Sequence, residues 1–324
     1  MEKNDDIMVS ILTLAYNHEP YIRQCLDGIV MQRTNFRFEL LIHDDASTDE
    51  TANIIREYEK KYPDIIKPIF QKENQYSKKV PIGATYLYPR AKGKYIALCE
   101  GDDYWTDPYK LQKQVDFLEN HPEYSLIYTQ ARIFMPDGQF SKKVLGSERD
   151  FQTLLCIGNT IPTLTTCFRK TMYFNYIKDT MNHPQWEMGD YPLWLYISYH
   201  SKIKFLPNQT GVYRILEESV SHSKNPLRNL KFIFNKFQIQ EYFAHYAKYD
   251  HELKIITQNT FNFILNYSIE TNQKYNFKFW YYVRKYKITD ISLFIKYIFS
   301  LSYVGRKLTI YLWNINTKVY KLFH

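Results

Sequence analysis

Glu100, Asp102 and Asp103 place three carboxylates within four residues, in the stretch KYIALCEGDDYWTDP from Lys94 to Pro108. Carboxylates this close repel one another, so folding them together calls for a compensating cation. Hard oxygen ligands of this kind suit Mg2+ or Mn2+ better than zinc. The apolar run Tyr95–Cys99 ahead of them reads as a strand that carries them to its carboxyl end, which is where open α/β sheets bind their ligands. A solvated acidic turn that merely caps a helix is the plain alternative for an Asp-Asp pair standing alone. A second pair, Asp44-Asp45, also follows an apolar strand, Phe38–Ile42. A further acid, Asp190, sits in WEMGDYP ahead of a helical stretch from Pro192 to Tyr199, where capping is its simplest role and Glu187 is the nearest other carboxylate.

The elements that must position these acids alternate strand and helix. Met8–Ala15 is a near-continuous apolar run of the kind found in parallel strands covered on both faces. Ile22, Leu26, Ile29 and Val30 follow at helical spacing and complete the first half of a βαβ unit. Ser47 and Glu50 have the spacing of a capping box for a helix carrying Ile54, Ile55 and Tyr58. Ile65–Phe70 reads as a strand, Gly83–Arg90 as a short helix, and Asp107-Pro108 as the N-cap and first position of a helix buried through Leu111, Val115 and Leu118. Tyr124–Phe134 returns as a strand. Beyond it the pattern is less regular: Phe151–Cys156 and Met172–Ile177 read as helices, Thr163–Phe168 as extended, and Lys204–Ile215 as a strand pair turned at Pro207-Asn208.

A chain of 324 residues accommodates one large α/β domain with an appendage, or two domains. Its four cysteines, Cys25, Cys99, Cys156 and Cys167, have neither zinc-site nor disulfide-framework spacing, which fits a reducing cytoplasm. MEKNDD at the start is polar, and the apolar run after it is too short for a signal peptide, so the expected location is cytoplasmic. The net charge of +8 is concentrated at the end of the chain, where residues 271–324 carry ten Lys/Arg against the single acid Asp290. Such asymmetry points to a polyanionic partner.

SILTLAYN, LLIHDDASTDET and YIALCEGDDYWTDP stand in the order and at the spacing of the family 2 glycosyltransferases, and Val9 to Ser223 resembles that family closely. The resemblance implies a GT-A fold over residues 1–223, an α/β nucleotide-diphospho-sugar transferase architecture, followed by a helical C-terminal extension over residues 224–324. It also implies inverting, Mn2+- or Mg2+-dependent transfer from a nucleotide-diphosphate sugar to an acceptor hydroxyl, of the bacterial surface-polysaccharide type. Residue by residue, Thr13, Ala15, Tyr16 and Asn17 match the loop near the nucleotide, and Asp44 and Asp45 match the pair that contacts uracil and ribose. A carboxylate there accepts from uracil N3, favouring a uridine donor. Glu100, Gly101, Asp102 and Asp103 match the DXD-type element, with Glu100 replacing the more usual Asp, Glu100 and Asp102 facing the nucleotide, and Asp102 and Asp103 the metal. Asp190 matches the catalytic base, with Glu187 as the fallback candidate or else a surface carboxylate. Tyr213-Arg214-Ile215-Leu216 lacks the histidine of the family's Tyr-Arg-x-His, leaving Arg214 to pair with phosphate or form a structural bridge, and His222 as a metal ligand or a solvated loop residue.

Two other functions compete. A phosphoacceptor receiver domain also pairs strand-end acids, but it needs an Asp ending the third strand, where Ile65–Asn74 offers only Lys67, Lys72 and Glu73 as charged residues. A catalytically dead relative acting as a membrane-associated assembly factor sits badly with intact acidic motifs. The basic, aromatic tail favours an anionic membrane face, where a saccharide or lipid-linked saccharide acceptor would be met, and no nucleic-acid partner is expected. Ser292–Val304 is apolar but falls short of the roughly 20 residues that a span requires, so it reads as an interfacial or core helix.

Overall fold

The computed structural model describes residues 6–180, 186–216, 223–275 and 277–310. The elements in chain order are β1 (Ile7–Ala15), α1 (Ile22–Val30), β2 (Arg37–Asp44), α2 (Thr51–Lys61), β3 (Ile66–Phe70), β4 (Tyr95–Leu98), β5 (Tyr104–Trp105), α3 (Lys110–Asn120), β6 (Tyr124–Phe134), β7 (Phe140–Leu145), α4 (Phe151–Ile157), β8 (Cys167–Arg169), α5 (Lys170–Thr180), α6 (Tyr191–His200), β9 (Lys202–Arg214), α7 (Pro226–Tyr246), α8 (Asp250–Glu270), α9 (Phe279–Lys285) and α10 (Ile291–Ser300). They fall into two compact units, one comprising Met1–Leu154, Asn159–His183 and Leu193–Ile215, the other Leu155–Gly158, Pro184–Pro192 and Leu216–His324.

The first unit is built on a mixed sheet of order β3-β2-β1-β4-β8-β6-β9-β5, with β7 attached to β6. Its leading part is parallel: β1 pairs with both β2 and β4, and β2 with β3. Val9, Ile11, Leu40, Ile42, Tyr95 and Ala97 on these strands are fully buried, as strands covered on both faces must be. The α1 stripe Ile22, Cys25, Leu26 and Ile29 packs into the same core at helical spacing. Because the strands are parallel and in register, Ala15 lies beside Asp44, and the ends of β1, β2 and β4 open on the same edge.

Several local expectations give way. Ser47 and Glu50 form no capping box: the Ser47 hydroxyl accepts from the Asn17 N–H at 3.0 Å, and α2 begins only at Thr51, whose N–H is taken by Asp49. Asp107 and Pro108 precede α3 by a short turn, with the Asp107 carboxylate accepting from Tyr109 N–H at 2.9 Å. The expected strand pair over 204–215 is the single strand β9, parallel to β6, with Pro207 and Asn208 in a register irregularity. Proline cannot donate to the ladder, and a bulge is one of the few places within a sheet that tolerates it.

In the second unit α7 and α8 are long helices. Asn225 caps α7 by accepting from Leu227 and Arg228, and Asp290 caps α10 in the same way from Ser292 and Leu293. An aromatic core joins these helices, with Phe237, Phe261 and Tyr282 meeting edge-on or tilted and Phe279 stacked on Tyr297 at 4.0 Å. Among the described residues no helix is long and apolar enough to cross a membrane.

Candidate active site

The carboxyl ends of β1, β2 and β4 bring Thr13–Asn17, Asp44-Asp45 and Glu100–Asp103 to one edge. Backbone bonds tie them: Gly101 N–H donates to Leu14 O at 2.9 Å and Asp45 N–H to Ala15 O at 2.9 Å. Two non-glycine residues on this edge, Asn17 (φ 53°) and Ala46 (φ 61°), hold left-handed backbone, a conformation that concentrates at functional turns. Asn17 is fixed there by its side chain, whose Oδ1 accepts from Thr48 N–H at 2.8 Å. Gly101 has no room for a side chain, since a Cβ would lie 2.8 Å from His18 Nδ1 and 3.0 Å from Leu14 O. The acidic turn is thus pressed directly onto the end of β1.

Within each acidic pair the two carboxylates do different work. Asp45 is buried and accepts from the N–H groups of Gln75 (2.7 Å) and Tyr76 (3.0 Å), pinning the loop beyond β3. Asp44 accepts a longer bond from Ser47 N–H (3.3 Å), while its Oδ1, buried and facing the same edge, has no hydrogen-bond partner among the described residues. Thr13 Oγ1 is buried and without a partner in the same sense. Buried polar atoms of this kind are costly unless a ligand or water completes them.

The second pair divides likewise. Asp103, which the sequence assigns to the metal, is 3% exposed, and its Oδ1 accepts from Arg214 N–H at 2.8 Å, so that it fastens the turn to β9. Burial, reinforced by the charges of Asp102 and Glu100, holds its pKa well above the ordinary carboxylate range. Asp102 is half-buried and its carboxylate makes no hydrogen bond or ion pair among the described residues. It is the acid of the pair left to face a ligand. His18 sits nearby with its pKa lowered, chiefly by burial and against the pull of Asp102 and Asp49.

Arg214, a candidate phosphate ligand by sequence, is only 7% exposed. Its guanidinium donates to the Asp102 backbone carbonyl and to Gln24 Oε1, and it lies over the rings of Tyr104 (4.5 Å) and Tyr21 (5.2 Å). This is the structural-bridge alternative in a specific form, a clasp from β9 and α1 onto the acidic turn. Tyr16 is 45% exposed at the end of β1, where its ring is open to a planar ligand. Ala15 is buried and contributes its carbonyl. Glu100 is half-buried, and its carbonyl accepts from Asp103 N–H at 3.1 Å.

The comparisons with known proteins bear on this edge. Residues 10–177 match the sequence model of glycosyl transferase family 2. The chain belongs to that family. It is 30% identical over 221 residues to the Escherichia coli protein WfaP, named UDP-Glc:alpha-D-GlcNAc-diphosphoundecaprenol beta-1,3-glucosyltransferase, a match covering 67% of this chain and 81% of that one. It is 36% identical over 222 residues to an uncharacterized protein of Mycobacterium tuberculosis, covering 66% of this chain and 61% of that protein's length. Among solved structures, S. aureus TarS 1-349 in complex with UDP-GlcNAc is similar with a TM-score of 0.57 at 17% identity, over 79% of this chain and 73% of that one. The fold of this family 2 member is therefore GT-A, α/β with a helical C-terminal region.

Whether the edge suits a divalent cation follows from its donors. Among the described residues no three His, Cys, Asp or Glu side chains converge. Mg2+ is commonly held by one or two carboxylates together with substrate phosphates and waters, so one uncommitted acid at a strand end is a fitting protein contribution. Asp102 meets that requirement, and Asp103 is occupied with β9. His222 lies outside the described residues. Asp190 belongs to the second unit, where its Oδ1 accepts from Tyr191 N–H at 2.7 Å at the start of α6. Glu187 is exposed, and its backbone N–H donates to Asn235 Oδ1 at 2.9 Å.

Sequence reasoning missed Gln24, Tyr21, Tyr104 and His18 as parts of this assembly. Gln24 and Arg214 are 190 positions apart, and no local pattern joins them. His18 carried a signal, since a glycine in an acidic turn marks a close approach and the residue approaching it directly follows the first motif.

Proposed function

We propose that this protein transfers a sugar from a nucleoside-diphosphate donor, with uracil as the base, to an acceptor hydroxyl with inversion, in cell-surface polysaccharide synthesis. The observation that carries this reading is the division of labour in the two acidic pairs. Asp45 accepts from two backbone N–H groups and Asp103 is buried on one, while Asp44 Oδ1 and the Asp102 carboxylate have no hydrogen-bond partner among the described residues at the carboxyl ends of the parallel strands. In this reading Asp44 accepts from the base or ribose, with Thr13 Oγ1 completing a further polar contact and Asn17 fixing the turn. Tyr16 offers its exposed ring to the base. Glu100 faces the ribose, and Gly101 lets the acidic turn close on β1.

Asp102 is the protein ligand for Mn2+ or Mg2+, which when bound would neutralise charge on the departing diphosphate. Arg214 orients Asp102 by holding its carbonyl, and so positions the donor without touching it. Asp190 takes the acceptor hydroxyl proton as the acceptor oxygen bonds to the anomeric carbon and the electron pair of the breaking C–O bond leaves with the diphosphate. Its present role at the start of α6 keeps that carboxylate oriented. WfaP, with a diphosphoundecaprenol acceptor in its name, supports a lipid-linked saccharide as the acceptor class.

The phosphorylation-switch reading has no support left, because β3 ends at Phe70 without an acid and the chain is a family 2 member. The dead-relative reading is separated by assay. Nucleotide release is measured from a panel of UDP-, GDP- and dTDP-sugars with a metal titration. Metal-stimulated release from one UDP-sugar is expected, and release from none, with acceptor saccharides supplied, would remove the enzymatic reading.

A further inference from the structure

The helix α10 is apolar on both of its faces. Its inner face is accounted for: Leu293 is fully buried, Tyr297 stacks on Phe279, and Lys296, the only charged side chain of the helix, turns to Asn262 of α8 at 3.0 Å. The opposite face carries Ile291, Ile295 and Ile298 at 71%, 49% and 61% exposure. Spacings of four and three residues put these on one stripe. Leu301 and Val304 continue the exposed apolar surface beyond the helix, and Trp280 on α9 is half exposed beside Phe294, its stacking partner at 5.7 Å. A helix that is apolar all round is ordinarily buried or in contact with lipid, and a contiguous exposed patch of this sort marks an interaction surface.

Charge decides among occupants. Between residues 271 and 310 the exposed cations are Lys274, Lys278, Arg284, Lys287 and Lys307, with Lys285 paired to Glu241 at 2.8 Å, and Asp290, the single acid there, is spent on the α10 cap. A second copy of this chain would bring the same positive surface to an isologous contact, so like charges would face one another. Bases bind through stacking on aromatic rings; Trp280 and Tyr303 are exposed beside the stripe, but the stripe itself is three isoleucines, whose aliphatic face suits lipid and not bases. An aliphatic stripe in a segment whose exposed charges are positive matches the interface of an anionic bilayer, where alkyl side chains enter below the headgroups and ammonium groups remain level with them. We propose that α10 lies in the plane of an anionic membrane, with Ile291, Ile295 and Ile298 inserted and the exposed lysines of residues 271–310 on the headgroups. The proposal holds whether or not the sugar-transfer reading does.

The test is co-sedimentation of the full chain with vesicles of equal parts phosphatidylglycerol and phosphatidylcholine, and with phosphatidylcholine alone. Wild-type protein is expected in the pellet with the anionic vesicles and largely in the supernatant with the neutral ones. Ile295→Glu/Ile298→Glu should reduce the anionic partition coefficient by roughly 30-fold or more, since two partly inserted side chains are replaced by charges. Lys278→Gln/Lys287→Gln/Lys307→Gln should reduce it by roughly tenfold or more and flatten its salt dependence. All of these positions are exposed, and an unchanged circular dichroism melt confirms folding. Wild-type protein left in the supernatant with anionic vesicles overturns the proposal. So does a wild-type dimer in sedimentation equilibrium that the isoleucine variant dissociates, because a second copy then covers the stripe.

Discussion

Replacing Arg214 by Met keeps most of the aliphatic stem and removes the guanidinium, which isolates the clasp on the acidic turn. The structure sets the size of the effect. Two hydrogen bonds from a charged donor are lost, to Asp102 O and Gln24 Oε1, along with the cation–π contacts to Tyr104 and Tyr21. Each bond to a charged group contributes about 1.5–3 kcal/mol and each cation–π contact about 0.5–1 kcal/mol. Removing a charge that is 7% exposed returns part of its desolvation cost, so the net loss should be about 3 kcal/mol. Arg214→Lys retains the charge but not the planar fork, and should lose about half as much. The Asp103 bond to the residue 214 backbone survives in both variants. Urea denaturation at constant m-value reads the stability change, and calorimetry reads UDP affinity in Mn2+. Stability should fall first and affinity by no more than about tenfold, the scale of roughly 1.4 kcal/mol. Wild-type stability with affinity lost would refute the clasp and return Arg214 to the phosphate.

Gly101→Ala should cost ~2 kcal/mol in denaturation, because the new Cβ meets Leu14 O at 3.0 Å as well as His18, and backbone cannot retreat as a side chain can; an unaltered midpoint would contradict that packing. Asp190→Asn is nearly isosteric and still accepts from Tyr191 N–H, so transfer should fall by at least ~100-fold with donor binding intact, and near-normal turnover would leave the residue as a cap only. Lys110 is fully buried against Gln114 and the Trp105 ring, and burial lowers its pKa to about 8. Below pH 8 the folded state bears the full cost of the buried charge, and between there and the ordinary lysine value the unfolded chain holds the extra proton, so this residue's contribution to stability rises with pH. Comparing wild type with Lys110→Met across pH 7.5–10 cancels the opposing thiol and phenol titrations. The difference should move in favour of wild type by at most about 3 kcal/mol, less what the Trp105 face gives the cation, and a flat difference would refute it.

The parallel half of the sheet was legible because its strands are buried on both faces and therefore written as unbroken apolar runs, each ending on the residues of the site. Val9, Ile11, Leu40 and Ile42 are fully buried where those runs place them. What the sequence hid is settled by long-range competition for hydrogen bonds. Ser47 has capping-box spacing, yet Asn17 N–H takes its hydroxyl. Pro207-Asn208 has turn composition, yet pairing with β6 absorbs it as an irregularity in one long strand. β5 is two residues long and exists only because β9 lies beside it. The acidic pairs show the same limit. Their presence and their place at strand ends are visible in the chain, but which carboxylate oxygens are left without a partner depends on N–H groups from Ser47, Gln75, Tyr76 and Arg214.

One calorimetric comparison separates the two acids of the second pair: UDP binding with and without Mn2+ by Asp102→Asn and Asp103→Asn. Asp102→Asn should lose the metal-dependent increment in affinity while remaining as stable as wild type, because its carboxylate holds nothing in the fold. Asp103→Asn should retain the increment, because an amide oxygen can still accept from Arg214 N–H and the buried acid it replaces is held toward its neutral form. The reverse outcome, with metal-dependent binding lost in Asp103→Asn and kept in Asp102→Asn, would contradict the account.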